Sequence, residues 1–160
     1  MSTLAKIRFA VYEDYTELGK VMYDAVRIGC PVYTPAQLEA WVPAPPMGSA
    51  WNQRLQAQSV FVAETADGLL GFLSLAEDGL IDLAFIRPAA QGSGLFRRLF
   101  QTLEEFALDM KFNRLTVLAS LAAQPAFSAV GFTIVQQESV QVGSQSLCRF
   151  VMYKDLTEAN

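Results

Sequence analysis

Residues 86–100 read IRPAAQGSGLFRRLF: the end of an apolar strand, a proline, a glycine turn and the opening of a helix. Two arginines, Arg97 and Arg98, stand near that helix's first turn. Cations there oppose the helix dipole and cost about 0.3–1 kcal/mol each. The unpaired N–H groups of a helix start, together with the dipole, form an anion site. Gly92 and Gly94 let the main chain come close to such an anion. A seated phosphate or pyrophosphate turns both arginines from a cost into an attraction, and Arg87, just before Pro88, adds a third cation. A plain strand-to-helix connection with solvated arginines is the alternative. The turn is not a Walker A loop, which ends in Gly-Lys-Ser/Thr. Nor is it a dinucleotide fingerprint, whose third glycine would fall at Arg97 and which normally sits in the first βαβ unit.

The charges around the turn are uneven. The chain carries a net charge of −4, yet no Asp or Glu occurs from Leu83 to Leu103, the window that holds all three arginines. A buried strand excludes acids but does not account for the cations.

Outward from the turn, LIDLAFI (80–86) reads as a central strand, since it is nearly all apolar. LLGFLSLA (69–76) and SVFVAET (59–65) read as two more strands, joined through Asp-Gly turns. KIRFA (6–10) is a short first strand. Asp14 and Glu17 have capping-box spacing and predict a helix over 13–28. Pro31, Pro35, Pro43, Pro45 and Pro46 break the chain after that helix. Among these prolines Thr34 caps a short helix to Trp41, and a second covers about 48–57. After the glycine turn a helix spans 93–110 with Leu95, Leu99, Leu103, Phe106, Ala107 and Met110 facing the core. RLTVLAS (114–120) is a strand, a short helix covers 123–130, and the chain ends in an antiparallel pair around Gly143-Ser144. This order makes a mixed α/β sheet with helices on it.

The composition bounds the function. At 52% hydrophobic and 18% charged, the 160 residues predict one globular domain over 1–160. No apolar run approaches the roughly 20 residues of a bilayer span, and the N-terminus lacks a secretory apolar core, so a cytoplasmic protein without membrane contact is expected. The absence of histidine excludes Ser-His-Asp and Cys-His nucleophiles and His-containing zinc sites. Cys30 and Cys148 read as free thiols, and no metal is expected. The acidic balance argues against nucleic acid as a partner.

IRPAAQGSGLF resembles the acyl-CoA-binding segment of the GNAT superfamily of N-acetyltransferases, whose pattern is Gln/Arg-x-x-Gly-x-Gly/Ala. Gln91 and Gly94 match the first two places, and Phe96 replaces the small residue of the last. Ser120, Ala123, Phe127 and Gly131-Phe132 fall at the spacing of a second GNAT segment, Asn-x-x-Ala-x-x-x-Tyr-x-x-x-Gly-Phe. YTPAQLEAWVP (33–43), LIDLAFIRP and LTVLASLAAQPAFSAVGF look like the YafP-like branch. The resemblance implies an α/β (α+β) fold with a mixed, mostly antiparallel sheet of about seven strands. About four helices flank it, and two central parallel strands are splayed. It implies acetyl-CoA as co-substrate and a small-molecule or peptide amine as acceptor, and a homodimer is compatible with it.

By the same resemblance, Phe85 and Ile86 offer backbone to the pantetheine arm as if it were an added strand. Gln91, Gly92, Ser93, Gly94, Leu95, Phe96 and Arg97 hold the pyrophosphate, and Ser120 reaches the pantetheine or the sulfur. The acceptor amine must lose a proton. Asp82, in the central strand, is the expected base if burial raises its pKa, a structural hydrogen bond being the alternative. Phe127 stands where a Tyr acid is common and cannot protonate a thiolate. Ser120, Tyr33 and Tyr153 are the remaining donors. Tyr33, Trp41 and Trp51 are the candidates to line an acceptor pocket built by residues 31–57 and the loop near Gly143. A non-enzymatic acyl-CoA sensor and a protein-interaction module are the competing readings.

Overall fold

In a computed structural model that describes residues 4–156, one sheet of seven strands carries helices on both faces. The strands are β1 (Lys6–Phe9), β2 (Ser59–Thr65), β3 (Gly68–Leu75), β4 (Leu80–Ile86), β5 (Arg114–Ser120), β6 (Thr133–Val142) and β7 (Gln145–Asp155). The helices are α1 (Tyr15–Arg27), α2 (Pro35–Trp41), α3 (Ser49–Gln56), α4 (Leu95–Asp109) and α5 (Gln124–Ala129), with 3-10 turns at Tyr12–Asp14 and Pro88–Ala90. The strand order is β1-β2-β3-β4-β5-β7-β6, and among the described residues β4–β5 is the one parallel pair.

Period-2 burial places the two layers. Phe61, Leu73, Ile81, Leu115 and Val117 face α4 and α5. Val60, Val62, Phe72 and Leu83 face α1 and α3. Ile81 and Leu83 would share a face in a regular strand. They do not, because β4 carries a bulge. Ser74 pairs with Leu83 and Leu75 with Ile81, so Asp82 is an extra residue without a partner on β3. The Leu83 N–H donates to the fully buried Ser74 hydroxyl at 3.0 Å. Such bulges bend a strand and re-aim its side chains.

The parallel pair parts almost at once. β4 and β5 are in register only at Leu80–Thr116 and Ile81–Val117. Beyond Ile81 the two strands diverge, which leaves a V between them on the side of the glycine turn. α1 closes over one side of this region and is pinned to the proline-rich segment. Arg27 donates to the Val42 carbonyl at 3.0 Å, and Gly19 lies so close to Pro46 that an added Cβ would stand 1.9 Å from its carbonyl oxygen.

Two local expectations are corrected. Asp14 and Glu17 do not form a capping box: the Asp14 carboxylate accepts the Val11 N–H at 2.8 Å, while Glu17 accepts the Leu69 N–H of β3 at 2.7 Å. Met110 is exposed, because α4 ends at Asp109 and turns it out of the stripe. Phe100 is buried in its place and contributes to the core.

Candidate active site

The V between β4 and β5 opens into a cleft of about 470 Å³. Its walls are the β4 end, the glycine turn with the start of α4, and the β5 end with α5. Gly92 and Gly94 have φ of 74° and 85°, the left-handed region that favours glycine. An added Cβ at either would meet nothing within 4 Å, so the turn presents bare backbone to open space. No side chain caps α4, and its first turn holds no acid. Its leading N–H groups are therefore available to an anion. Among the described residues no carboxylate lines the cleft, and Arg97 is its one charged wall residue.

Phe85, Ile86, Gln91, Gly92, Gly94, Leu95, Phe96, Arg97 and Ser120 all lie on the cleft wall. Ser93 does not; its hydroxyl donates to the Ala90 carbonyl and holds the turn together. The Gln91 amide donates to the Ile86 carbonyl at 3.0 Å, which ties the turn to the free edge of β4.

Two of the three arginines leave the anion site. Arg87 turns back to α1, where it pairs with Asp24 and lies 3.9 Å from Glu17, and it donates to the Leu69 carbonyl at 2.8 Å. Arg98 donates to the Ala5 carbonyl at 2.7 Å and anchors the chain beside β1. Only Arg97 stays at the cleft, with a 3.5 Å contact to the Ala129 carbonyl. The acid-free window thus serves the strand packing and two structural ties as well as the cleft.

Phe96 and Phe127 explain one another. Their rings meet edge to face at 5.1 Å, and Phe127 packs the same way on Phe132 at 5.2 Å. The larger residue at 96 fills the cleft floor against a ring that has no hydroxyl to satisfy. Phe127 is 1% exposed.

A second cavity, of about 200 Å³, adjoins the first and shares Trp41 and Ser120 with it. Tyr33 and Trp41 form one wall, their rings edge to face at 5.6 Å. Val140, Val142 and Leu147 of the hairpin flanking Gly143 form the other. Gln37 of α2 donates to the Ser146 carbonyl at 3.1 Å and braces the two walls. Arg149 also borders this cavity, with its charge paired to Glu138.

Besides Ser93, two expected site residues lie outside both cavities. Trp51 is 5% exposed, packs among Leu18, Leu55 and Phe72, and donates its indole N–H to the Tyr15 carbonyl at 2.8 Å. It is a core residue and lines neither cavity. Asp82, the expected base, sits at the bulge on the α3 side, outside both cavities. Arg54 grips it with two hydrogen bonds of 2.7 and 2.9 Å, and Gln58 adds a third of 2.8 Å. Burial pushes its pKa up, but the Arg54 and Gln58 hydrogen bonds outweigh this and hold the carboxyl below its ordinary value. A lowered pKa makes a poor proton acceptor. Neither the bulge nor the partner across 28 residues leaves a sequence signal.

Asp82→Asn is expected to cost about 1 kcal/mol at pH 7, because the pair is partly exposed and screened. The folded pKa is depressed, so this stabilisation is present above the unfolded value of about 4 and fades as the pH falls through the folded one. Urea denaturation should show wild type and variant converging in acid.

Residues 30–153 match the family model described as acetyltransferase (GNAT) domain. The YafP protein of Escherichia coli K12, named an uncharacterized N-acetyltransferase, is 29% identical over 140 residues, which cover 87% of this chain and 88% of that protein. Among solved structures, a GCN5-related N-acetyltransferase from Rhodopseudomonas palustris superposes with a TM-score of 0.89 at 25% identity, over 98% of both chains. YncA of Salmonella typhimurium, a putative acetyltransferase solved with its cofactor acetyl-CoA, superposes with a TM-score of 0.67 at 21% identity, over 99% of this chain and 97% of that one; it shares the fold.

Proposed function

The chain belongs to the GNAT acetyltransferase family, and from that premise we propose that it moves the acetyl group of acetyl-CoA directly to the amine of a small molecule or peptide held in the second cavity. One observation carries this reading: a bare helix start behind two left-handed glycines lies at the mouth of a cleft opened by diverging parallel strands. Backbone N–H groups at Gly94 to Arg97 suit a diphosphate. The unpaired edge of β4 near Phe85 suits the amide groups of an extended pantetheine arm. The coenzyme is a substrate here, and the residues present fit it.

The two cavities meet at Ser120 and Trp41. A thioester reaching this point from the cleft faces an amine entering from the second cavity. The amine attacks the carbonyl carbon, the C–N bond forms, and the C–S bond breaks as the thiolate leaves. The attacking nitrogen must be unprotonated. Among the described residues no carboxylate lines either cavity, so its proton leaves through water. The rate is therefore expected to climb with pH toward the acceptor's own pKa. The aliphatic and aromatic walls favour an acceptor with an apolar body. Turnover is expected to survive Asp82→Asn.

Thermal-shift titration with CoA tests the binding half, since a ligand of the folded state raises the melting temperature by mass action. Thiol release from acetyl-CoA with butylamine, phenethylamine and an alanyl-phenylalanine amide tests the transfer. A rise in melting temperature and amine-dependent thiol release are expected. No stabilisation by CoA overturns the reading. Tight CoA binding without turnover favours an acyl-CoA sensor, for which the buried, hydroxyl-free Phe127 is the motivating observation.

A further inference from the structure

The departing sulfur needs a proton, and Phe127 has none to give. Three hydroxyl side chains were open on sequence; the structure sets one aside, and acidity separates the other two. Tyr153 pairs with Thr116 and Thr133 in the sheet, lies under the Arg114 guanidinium at 4.1 Å, and lines neither cavity. Ser120 borders both cavities, and its oxygen accepts the Ala123 N–H at 3.1 Å, but an aliphatic alcohol is a far weaker acid than a phenol and is a poor proton source for a thiolate. Tyr33 is the third. It is 9% exposed, and its ring is fixed edge to face on Trp41. Its hydroxyl oxygen accepts the Ala122 N–H at 3.3 Å, from the loop just past β5. Ala122 lines the cleft and Tyr33 lines the second cavity, so the phenol bridges the place where the two meet.

Resting on the acetyl-transfer reading, we infer that Tyr33 is the proton donor to the thiolate. With its oxygen already accepting from a backbone amide, the phenolic O–H is left to donate. As the C–S bond breaks, the sulfur takes that proton and leaves as the thiol. The phenolate that remains keeps the Ala122 N–H as a donor, which stabilises the negative oxygen. Solvent water returns the proton before the next turnover, and the proton lost by the amine goes to water, so the count closes. The donor thus enters from the α1–α2 connection and meets the loop between β5 and α5. The filled phenylalanine cluster at Phe96, Phe127 and Phe132 and the tyrosine at 33 become two parts of one arrangement.

The test is Tyr33→Phe, which keeps the ring and removes the hydroxyl, with Tyr153→Phe as a control at the remote tyrosine. The readouts are the single-turnover rate with the panel amine that wild type uses fastest, the Kd for CoA and the KM for the amine. Tyr33→Phe is expected to lower the single-turnover rate at least tenfold, with CoA Kd within twofold and amine KM within threefold; Tyr153→Phe leaves the rate unchanged. A thiolate is a tolerable leaving group, which keeps the loss near the low end of what general acids supply, about a hundredfold. An unchanged rate overturns the inference. So does a rise in amine KM alone, which makes Tyr33 an acceptor contact, or a joint loss of rate, CoA affinity and melting temperature, which makes it structural. Failure of wild type to release thiol with any amine fails the transfer reading itself and the inference with it, and that outcome is visible before any variant is made.

Discussion

Gly94→Glu is expected to weaken CoA binding at least a hundredfold, about 2.7 kcal/mol, in isothermal titration. Three effects act in one direction. Gly94 lines the cleft mouth, and the space beyond its Cβ position is open, so the new side chain enters the volume the diphosphate needs. Its carboxylate is itself an anion at the start of α4, where it would occupy the uncapped N–H groups that serve the ligand. And a non-glycine residue at φ of 85° carries roughly 1–2 kcal/mol of backbone strain, which distorts the turn. Gly94→Ala isolates the third effect, since it adds the strain without the charge or the reach. It should retain CoA binding within about tenfold while losing about 1–2 kcal/mol of stability. Equal affinity in Gly94→Glu and wild type would mean that the diphosphate lies elsewhere, and the cleft would lose its assignment.

Much of the frame was legible because it rests on local signals. Ser59–Thr65, Leu80–Ile86 and Arg114–Ser120 fall where dense apolar and β-branched runs end at Gly, Asp or Asn turns. Thr34 does cap α2, because a Thr-Pro start with Gln three residues on satisfies two backbone groups at once. The glycine turn was legible for the same reason: positive φ leaves a residue mark. What sequence could not show depends on distant partners. Nothing near Arg98 announces the Ala5 carbonyl 93 residues away, and nothing near Arg87 announces Asp24. An arginine beside a helix start reads as an anion ligand until the fold supplies another acceptor. The Asp82 environment was hidden for a second reason. Periodicity assigns faces only in a regular strand, and a seven-residue apolar run hides a one-residue bulge that shifts the phase of everything before it.

Local periodicity is equally silent on why the two expected aromatics of the proline-rich segment part company. Trp41 ends α2 and touches Tyr33 on one side and Phe85 on the other, with ring separations of 5.6 and 6.3 Å. It is held by the cleft it lines. Trp51 stands one short helix later, and α3 carries it inward on the same face, into the layer of Val60, Val62 and Phe72, on whose edge Phe85 packs. Aromatic content alone does not distinguish a wall from a core; how deep in the layer the helix sets the ring does.

Trp51→Ala is therefore expected to cost about 3–5 kcal/mol of folding stability, against a total of about 5–15 kcal/mol for a domain of this kind. The indole fills the layer between α1, α3 and the sheet, and its removal leaves a void among Leu18, Leu55 and Phe72 that close-packed neighbours refill only in part. The cost has a polar part too, since the Tyr15 carbonyl loses the donor that reaches it at 2.8 Å within the core. Trp51→Phe keeps most of the volume and should lose about half as much, which separates the void from the hydrogen bond. Urea denaturation reads both. If Trp51 instead bound the acceptor, the loss would appear in the amine KM with the unfolding midpoint unchanged. Burial in the core layer, outside both cavities, predicts the reverse: a lower midpoint and an unaltered KM in whatever fraction remains folded. The α1–α3 layer would then be the support that holds β4 in its bulged path, and weakening it should loosen CoA binding only near the melting temperature.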